Sequence, residues 1–308
     1  MSTREVHELQ PGEMRACPIC GAPGEPRFER SFDPARVDSM TFASRKQPEL
    51  MHWSMAECVR CDLMFALDPP AFELLRDAYA DAGFDADRES DAAALTYASV
   101  VERMILRPLG WGHDRLRVLD VGCGDGAFLA RMHDAGASRV VGIEISDAPI
   151  RRARPEIRDV IERCMIEEYE GKDFTIATGF QVWEHFSAPR QVMEALRDTV
   201  VPGGLVLGVV HDRRALANRL MRRKSPIWDV EHLQLFSPKS VRALVEAAGM
   251  RLVRVQHIAN TYAADYWLRL APLPPALRGP LRRLVRPGGR EIRVPMRVGN
   301  LAFIAQQR

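Results

Sequence analysis

The stretch LRVLDVGCGDGAFLARMHDAG, residues 116–136, decides the fold. A short apolar run, Leu116 to Val121, leads into Gly122, Gly124 and Gly126 and then into a helical pattern that stops at Gly136. Glycine lets a chain turn tightly and brings the backbone against a ligand with no Cβ in the way. The start of the following helix adds a positive dipole end. A second strand, RVVGIEI (139–145), presents Glu144, 22 residues after Gly122. An acid at the tip of a second strand can accept both hydroxyls of a ribose. The string Gly122-x-Gly124-x-x-Ala127 alone also fits a dinucleotide loop. Asp120 separates the two readings, because a carboxylate two residues before the first glycine repels a diphosphate and suits a cationic amino-acid end.

Outward from this stretch, strand and helix alternate. A weaker strand falls near 159–164, and FTIATG (174–179), LVLGVV (205–210), RLVRVQHI (251–258) and NLAFIAQQ (300–307) follow. Helices lie between them: AFLARMHDAG, APRQVMEALRDTV (188–200), which ends at the turn Pro202–Gly204, and SPKSVRALVEAAGM (237–250). In the last, Ser237 is the N-cap, Pro238 opens the first turn and Gly249 closes the helix. Strands separated by helices of this length predict an α/β domain with a doubly wound, mostly parallel, seven-stranded sheet over residues 113–308. Residues 71–112 read as a helical linker or cap: apolar side chains at Leu95, Tyr97, Val101, Met104 and Ile105 share one helix face, stopped by Pro108 and Gly110. Residues 211–236 and 261–297 interrupt the alternation and read as insertions over the sheet edge.

LDVGCGDGAF resembles the S-adenosylmethionine-binding loop of class I methyltransferases, and Glu144 resembles their ribose acid. FQVWEHFSAPRQVMEALRDTVVPGG resembles the family's fourth-strand region, helix and PGG turn, and VEHLQLFSPKSVRALVEAAGM resembles a later segment of its small-molecule members. Where the family often has Phe-Asp entering the fourth strand, this chain has Asp173-Phe174. The resemblance implies that Asp120, Gly122 and Gly124 line the methionine end of the cofactor. It implies that Glu144 holds the ribose, that Ile145 packs near the adenine, and that Cys164 or Met165 touches the base. Cys123 and Gly126 in the loop, and Gln181 after the fourth strand, complete this set.

Methyl transfer is an in-line displacement on an activated carbon, so the protein mainly aligns the acceptor. A base is needed only where the acceptor must lose a proton. His185 after the fourth strand, His211 after the fifth and His232 in the first insertion are the candidates for that role, with Tyr262 behind them. The competing reading for each histidine is structural. Glu184 reads as a local hydrogen-bonding or capping residue.

Residues 211–224 carry five arginines and one lysine against Asp212, and residues 278–308 carry eight arginines against Glu291. A basic lid would draw a phosphate- or carboxylate-bearing acceptor; the other reading is solvated arginine on exposed helices. Nucleic acid is disfavoured by the net charge of +2 and by sparse aromatics among these charges. The expected acceptor is therefore a small molecule such as a glycan precursor, a nucleotide-linked or a natural-product intermediate. An RNA methyltransferase and a non-catalytic scaffold for the cofactor are the alternatives.

The N-terminal residues 1–70 are rich in turns and carry Cys17-x-x-Cys20 and Cys58-x-x-Cys61. Two such knuckles suit tetrahedral zinc, each giving two thiolates. The 37 residues between the pairs leave room for a hairpin. The segment resembles the zinc ribbons fused to some class I methyltransferases. Four thiolates leave no open position, so the ion would be structural, replacing an apolar core that so short a module lacks. His52 is the nearest substitute ligand. No apolar run approaches the roughly 20 residues of a membrane span, and the N-terminus lacks the apolar core of a signal peptide. A cytoplasmic protein is expected.

Overall fold

In a computed structural model, which describes residues 15–38, 40–43, 49–84, 87–270 and 292–308, the apolar run at 117–121 is an inner strand of a seven-stranded sheet. The chain forms β1 (Gly24–Phe28), β2 (Met55–Cys58), β3 (Met64–Ala66), β4 (Arg117–Val121), β5 (Arg139–Ile143) and β6 (Ile161–Glu162). It continues with β7 (Phe174–Phe180), β8 (Val200–His211), β9 (Gln234–Leu235), β10 (Arg251–Ala263) and β11 (Arg293–Gln306). The large sheet has the order β10-β11-β8-β7-β4-β5-β6. All neighbours are parallel except β11, which runs antiparallel to both β8 and β10. This is the doubly wound, mostly parallel sheet expected from the sequence. The inner strands are covered on both faces, so their residues are buried consecutively rather than in alternation.

The chain starts this sheet at β4, moves outward to β6 and returns on the other side at β7. That reversal opens a crevice between the carboxyl ends of β4 and β7, where ligands of such folds bind. The helix Pro238–Ala247 starts as the sequence predicts: the Ser237 hydroxyl accepts the Ser240 amide at 3.2 Å and Pro238 occupies the first turn. The helix Asp87–Val101 runs on through a π-helical turn, Glu102–Leu106, before Gly110 ends it with φ 63°.

Three local expectations change. Pro202–Gly204 is not a turn ahead of a strand but an excursion within β8. Val200 pairs with Phe174 and Leu205 with Ile176, so the extra residues bulge out of the ladder. β10 and β11 are longer than their apolar cores, pairing out to Ala263 and Arg293, where the exposed face no longer needs apolar residues. Within the second insertion, residues 271–291 lie outside the described residues, and five of its arginines (Arg278, Arg282, Arg283, Arg286 and Arg290) lie there with them.

The N-terminal strands form a second, antiparallel sheet in the order β1-β2-β3-β9. Its last strand comes from the first insertion of the large domain: Met64 pairs with Leu235 and Phe65 with Gln234. Met51, Trp53, Met55 and Met64 pack against Ile227, Val230, Leu233 and Leu235 in one buried cluster. The Trp53 indole donates to the Val230 carbonyl at 2.8 Å. Arg213 meets Glu57 at 2.8 Å and Arg214 meets Asp62 at 2.7 Å. Two of the basic residues in 211–224 thus neutralise acids of the N-terminal module. Trp53→Ala should cost about 3–5 kcal/mol in urea unfolding, since it removes a fully packed indole and strands the Val230 carbonyl. A loss under about 1 kcal/mol would show that the two units do not share this core. Among the described residues, no helix is long and apolar enough to cross a membrane.

Candidate active site

A cavity of about 640 Å³ opens at the carboxyl ends of β4, β5, β7 and β8. The glycine bend after β4 forms one wall. Gly122 has φ 66°, and a Cβ there would strike Val182 Cγ1 at 2.5 Å. Gly124 has φ 59° and a Cβ on it would enter open space, as a cradle for a ligand requires. Asp120 is buried at the tip of β4, and its Oδ1 accepts the Thr178 hydroxyl at 2.6 Å.

Glu144 sits just past β5. Its Oε2 accepts the Gly124 amide and its Oε1 accepts the amides of Ile145 and Ser146, all at 2.9 Å. Burial raises its pKa, while these three amides oppose the rise by favouring the charged form. The same carboxylate therefore faces the cavity and pins the glycine bend.

Gln181, directly after β7, has φ 59°, a region that non-glycine residues seldom occupy. Both the oxygen and the nitrogen of its side-chain amide are buried without a hydrogen-bond partner. A buried amide with neither end satisfied costs free energy that a bound polar ligand would recover.

The cavity brings together Asp120, Gly122, Cys123, Gly124, Glu144, Ile145, Met165 and Gln181, with Cys164 and Tyr262 also on its wall. Gly126 does not line it. It precedes the helix Ala127–Asp134 and backs onto Ile157, whose Cγ2 a Cβ would strike.

All three candidate histidines line the same cavity. The ring centroids of His185 and His232 are 5.1 Å apart, and those of His211 and His232 are 5.3 Å apart. His211 Nδ1 lies 3.0 Å from Asn300 Oδ1, so it donates there and Nε2 is the ring's acceptor. Burial, with His232 beside it, pushes the His211 pKa down to about 3, so the ring is neutral at pH 7. His232 Nδ1 lies 2.9 Å from the Ile227 carbonyl and His185 Nδ1 lies 2.6 Å from the Tyr79 hydroxyl. Glu184 is fully buried, and its Oε1 accepts the His211 amide at 2.5 Å. Burial pushes its pKa up to about 8. It ties the end of β8 to the approach to β9, whose Leu233 amide donates to the Glu184 carbonyl at 2.8 Å.

Most of the remaining wall escaped the sequence reading. Tyr97 stacks on Phe180 at 4.1 Å, with Phe128 edge-on to the same ring. Tyr79 and Phe72 come from the helix Phe72–Ala80, and Phe42 and Phe84 from loops. Aromatic residues scattered over such distant segments leave no pattern along the chain. Arg76 is the one Arg or Lys among the described lining residues. The arginines of 211–224 do not line the cavity, which departs from the basic lid weighed above.

Away from this cavity, Cys17, Cys20, Cys58 and Cys61 bring their sulfurs within 4.8 Å of one another. Sulfur–sulfur separations of 3.6 Å (Cys17–Cys61), 3.5 Å (Cys20–Cys58) and 3.7 Å (Cys20–Cys61) match the edge of about 3.8 Å that a tetrahedron of 2.3 Å zinc–sulfur bonds requires. The four thiols thus fit a tetrahedral ion. His52 is not with them; its ring sits against Trp228, and Nδ1 lies 2.9 Å from the Trp53 carbonyl.

The profile of a methyltransferase-domain family matches residues 84–255. Among curated proteins, the chain is 35% identical over 99 residues to the ubiquinone biosynthesis O-methyltransferase of Pseudomonas aeruginosa, covering 29% of this chain and 42% of that enzyme. The match to the enzyme of the same name from Brucella anthropi is 28% identical over 170 residues, covering 51% of this chain and 68% of that one. The chain thus spans less than half the length of the Pseudomonas relative. Among solved structures, magnesium protoporphyrin IX methyltransferase from Synechocystis PCC 6803 with bound SAH superposes with a TM-score of 0.48 at 14% identity, over 77% of this chain and 94% of that one. An S-adenosylmethionine-dependent methyltransferase from Mesorhizobium loti gives 0.46 at 19% identity, over 70% and 99%.

Proposed function

The chain belongs to the methyltransferase-domain family; from that premise we propose that it is an S-adenosylmethionine-dependent methyltransferase acting on a hydroxyl oxygen of a largely apolar small-molecule acceptor. The observation that carries this is the cavity wall, in which aromatic rings surround a histidine cluster and Arg76 is the single described cation. An acceptor dominated by phosphates or carboxylates would leave its charges uncompensated there. The names of the Pseudomonas and Brucella relatives agree with an oxygen acceptor.

When bound, S-adenosylmethionine supplies a methyl group on a sulfonium sulfur: the acceptor oxygen bonds that carbon while the carbon–sulfur bond breaks and its electron pair goes to sulfur. Asp120, Gly122 and Gly124 would hold its amino-acid end, Glu144 its ribose, and Gln181 a polar group that satisfies its stranded amide. Ile145, Cys164 and Met165 would flank the base. Tyr97 and Phe180 form the aromatic wall beside the acceptor, and His211 Nε2, the ring's acceptor nitrogen, would take a hydrogen bond from its hydroxyl. The four cysteines would hold a structural zinc ion, which contributes folding energy to the N-terminal sheet and takes no part in the transfer.

The test is an acceptor screen with methyl-labelled cofactor, comparing phenols and alcohols of low charge with phosphorylated and carboxylated analogues. Turnover confined to the charged set would sink the proposal. A pH dependence follows from Glu144. Its carboxylate must be ionised to accept ribose hydroxyls, and burial makes it protonate at a higher pH than an exposed glutamate. Affinity for S-adenosylhomocysteine should therefore be full where Glu144 is ionised and fall as the pH drops, with the loss beginning above the range in which an ordinary carboxylate protonates. In calorimetry Glu144→Gln should bind more weakly and with a flat profile; a variant profile that tracks the wild type would assign the titration elsewhere.

A further inference from the structure

We propose that His185, Glu231 and His232 form a second, open metal site that takes a divalent first-row transition ion inside the cavity and presents it to the acceptor hydroxyl. This deepens the O-methylation reading and rests on it. The ligating atoms of the three side chains lie within 4.8 Å of one another, and all three residues line the cavity. They come from two segments that the fold brings together: His185 follows β7, and Glu231 and His232 precede β9. Glu231 Oε2 is 3.7 Å from His185 Nδ1.

The donor chemistry supports an ion. Two imidazoles and one carboxylate form a set that zinc, iron and cobalt accept, with positions left over for water or substrate. The surroundings resemble those that orient metal-binding histidines, whose second nitrogen is held by a carbonyl or another oxygen. His232 Nδ1 is held in this way by the Ile227 carbonyl at 2.9 Å, which puts the ring's electron pair on Nε2. The Tyr79 hydroxyl bridges the other two members, 2.6 Å from His185 Nδ1 and donating to the Glu231 carbonyl at 3.3 Å. The site differs in kind from the cysteine cluster, where four thiolates close the sphere.

An ion here has a use that the transfer demands. A hydroxyl bound to a divalent cation loses its proton more readily. The acceptor's O–H bond breaks with its proton passing to water, because burial keeps His211, next to His232 but outside the ligand set, neutral. The oxygen then bonds the methyl carbon, and the carbon–sulfur bond breaks with its pair on sulfur. No further reactant is required.

The experiment titrates Co²⁺ into the full chain already loaded with one equivalent of zinc, which occupies the thiolates. One further equivalent should bind, with a visible d–d spectrum and no thiolate charge-transfer band. His232→Ala and Glu231→Gln should each weaken that binding at least tenfold and leave the affinity for S-adenosylhomocysteine unchanged. Failure of the wild type to take up cobalt beyond the zinc equivalent would overturn the site. So would wild-type cobalt affinity in both variants. Cobalt uptake as expected, with no hydroxyl acceptor turned over, would uphold the site and defeat the O-methylation reading.

Discussion

Glu144→Ala should lower the affinity for S-adenosylhomocysteine by roughly a hundredfold or more. The carboxylate would accept hydrogen bonds from the ribose, and hydrogen bonds to a charged group contribute about 1.5–3 kcal/mol each. It also accepts the amides of Gly124, Ile145 and Ser146. Alanine would release the glycine bend from the tip of β5 as well as removing the ribose contact. Glu144→Gln keeps an acceptor oxygen and should fall between the two. Calorimetry with S-adenosylhomocysteine measures both, and circular dichroism confirms that the variants fold. An alanine variant that binds within about threefold of the wild type would mean that the ribose is not held at this position, and the assignment of the whole bend would fall with it.

The sequence makes that half of the site legible for a physical reason. A tight bend needs glycine, the strand before it must be apolar on both faces, and the acid must fall one βα unit later. Each requirement leaves a mark at a fixed spacing. What Glu144 does to the bend is not marked, because backbone amides have no sequence identity. Gly126 shows the opposite error. It fits the glycine spacing, yet its lack of a side chain serves the packing of Ile157 rather than a ligand. The acceptor side is largely silent. Tyr79, Phe42 and Phe84 reach the cavity from a helix and loops with no periodic signal, and β9 is only two residues long. Its pairing with β3 spans about 170 residues of sequence and is set by tertiary packing alone.

Removing the zinc proposed for Cys17, Cys20, Cys58 and Cys61, by chelation or by Cys58→Ser, should abolish methyl transfer while leaving S-adenosylhomocysteine binding within about threefold. Structural zinc sites contribute on the order of 10 kcal/mol to small modules, so β1 to β3 should not persist without the ion. The consequence reaches the acceptor side because β3 carries β9. When β3 goes, the pairing of Met64 with Leu235 goes, and Trp53 leaves the Val230 carbonyl. Glu231 and His232 lie between those two anchors, so the segment that holds them loses both. The loops after β4 and β5, proposed here to hold the cofactor, belong to the other sheet and keep their ladder. Hydrogen exchange should therefore rise across residues 226–236 in the zinc-free protein and stay low across 117–145. Full turnover after stoichiometric zinc loss would refute the coupling. Exchange rising equally in both regions would show that the two sheets unfold as one, as their shared burial of Phe65 and Phe236 in a single core also permits. The distinction matters for how the enzyme is built: in the first case the metal module is a brace for the acceptor wall alone, and in the second it is a condition for the whole fold.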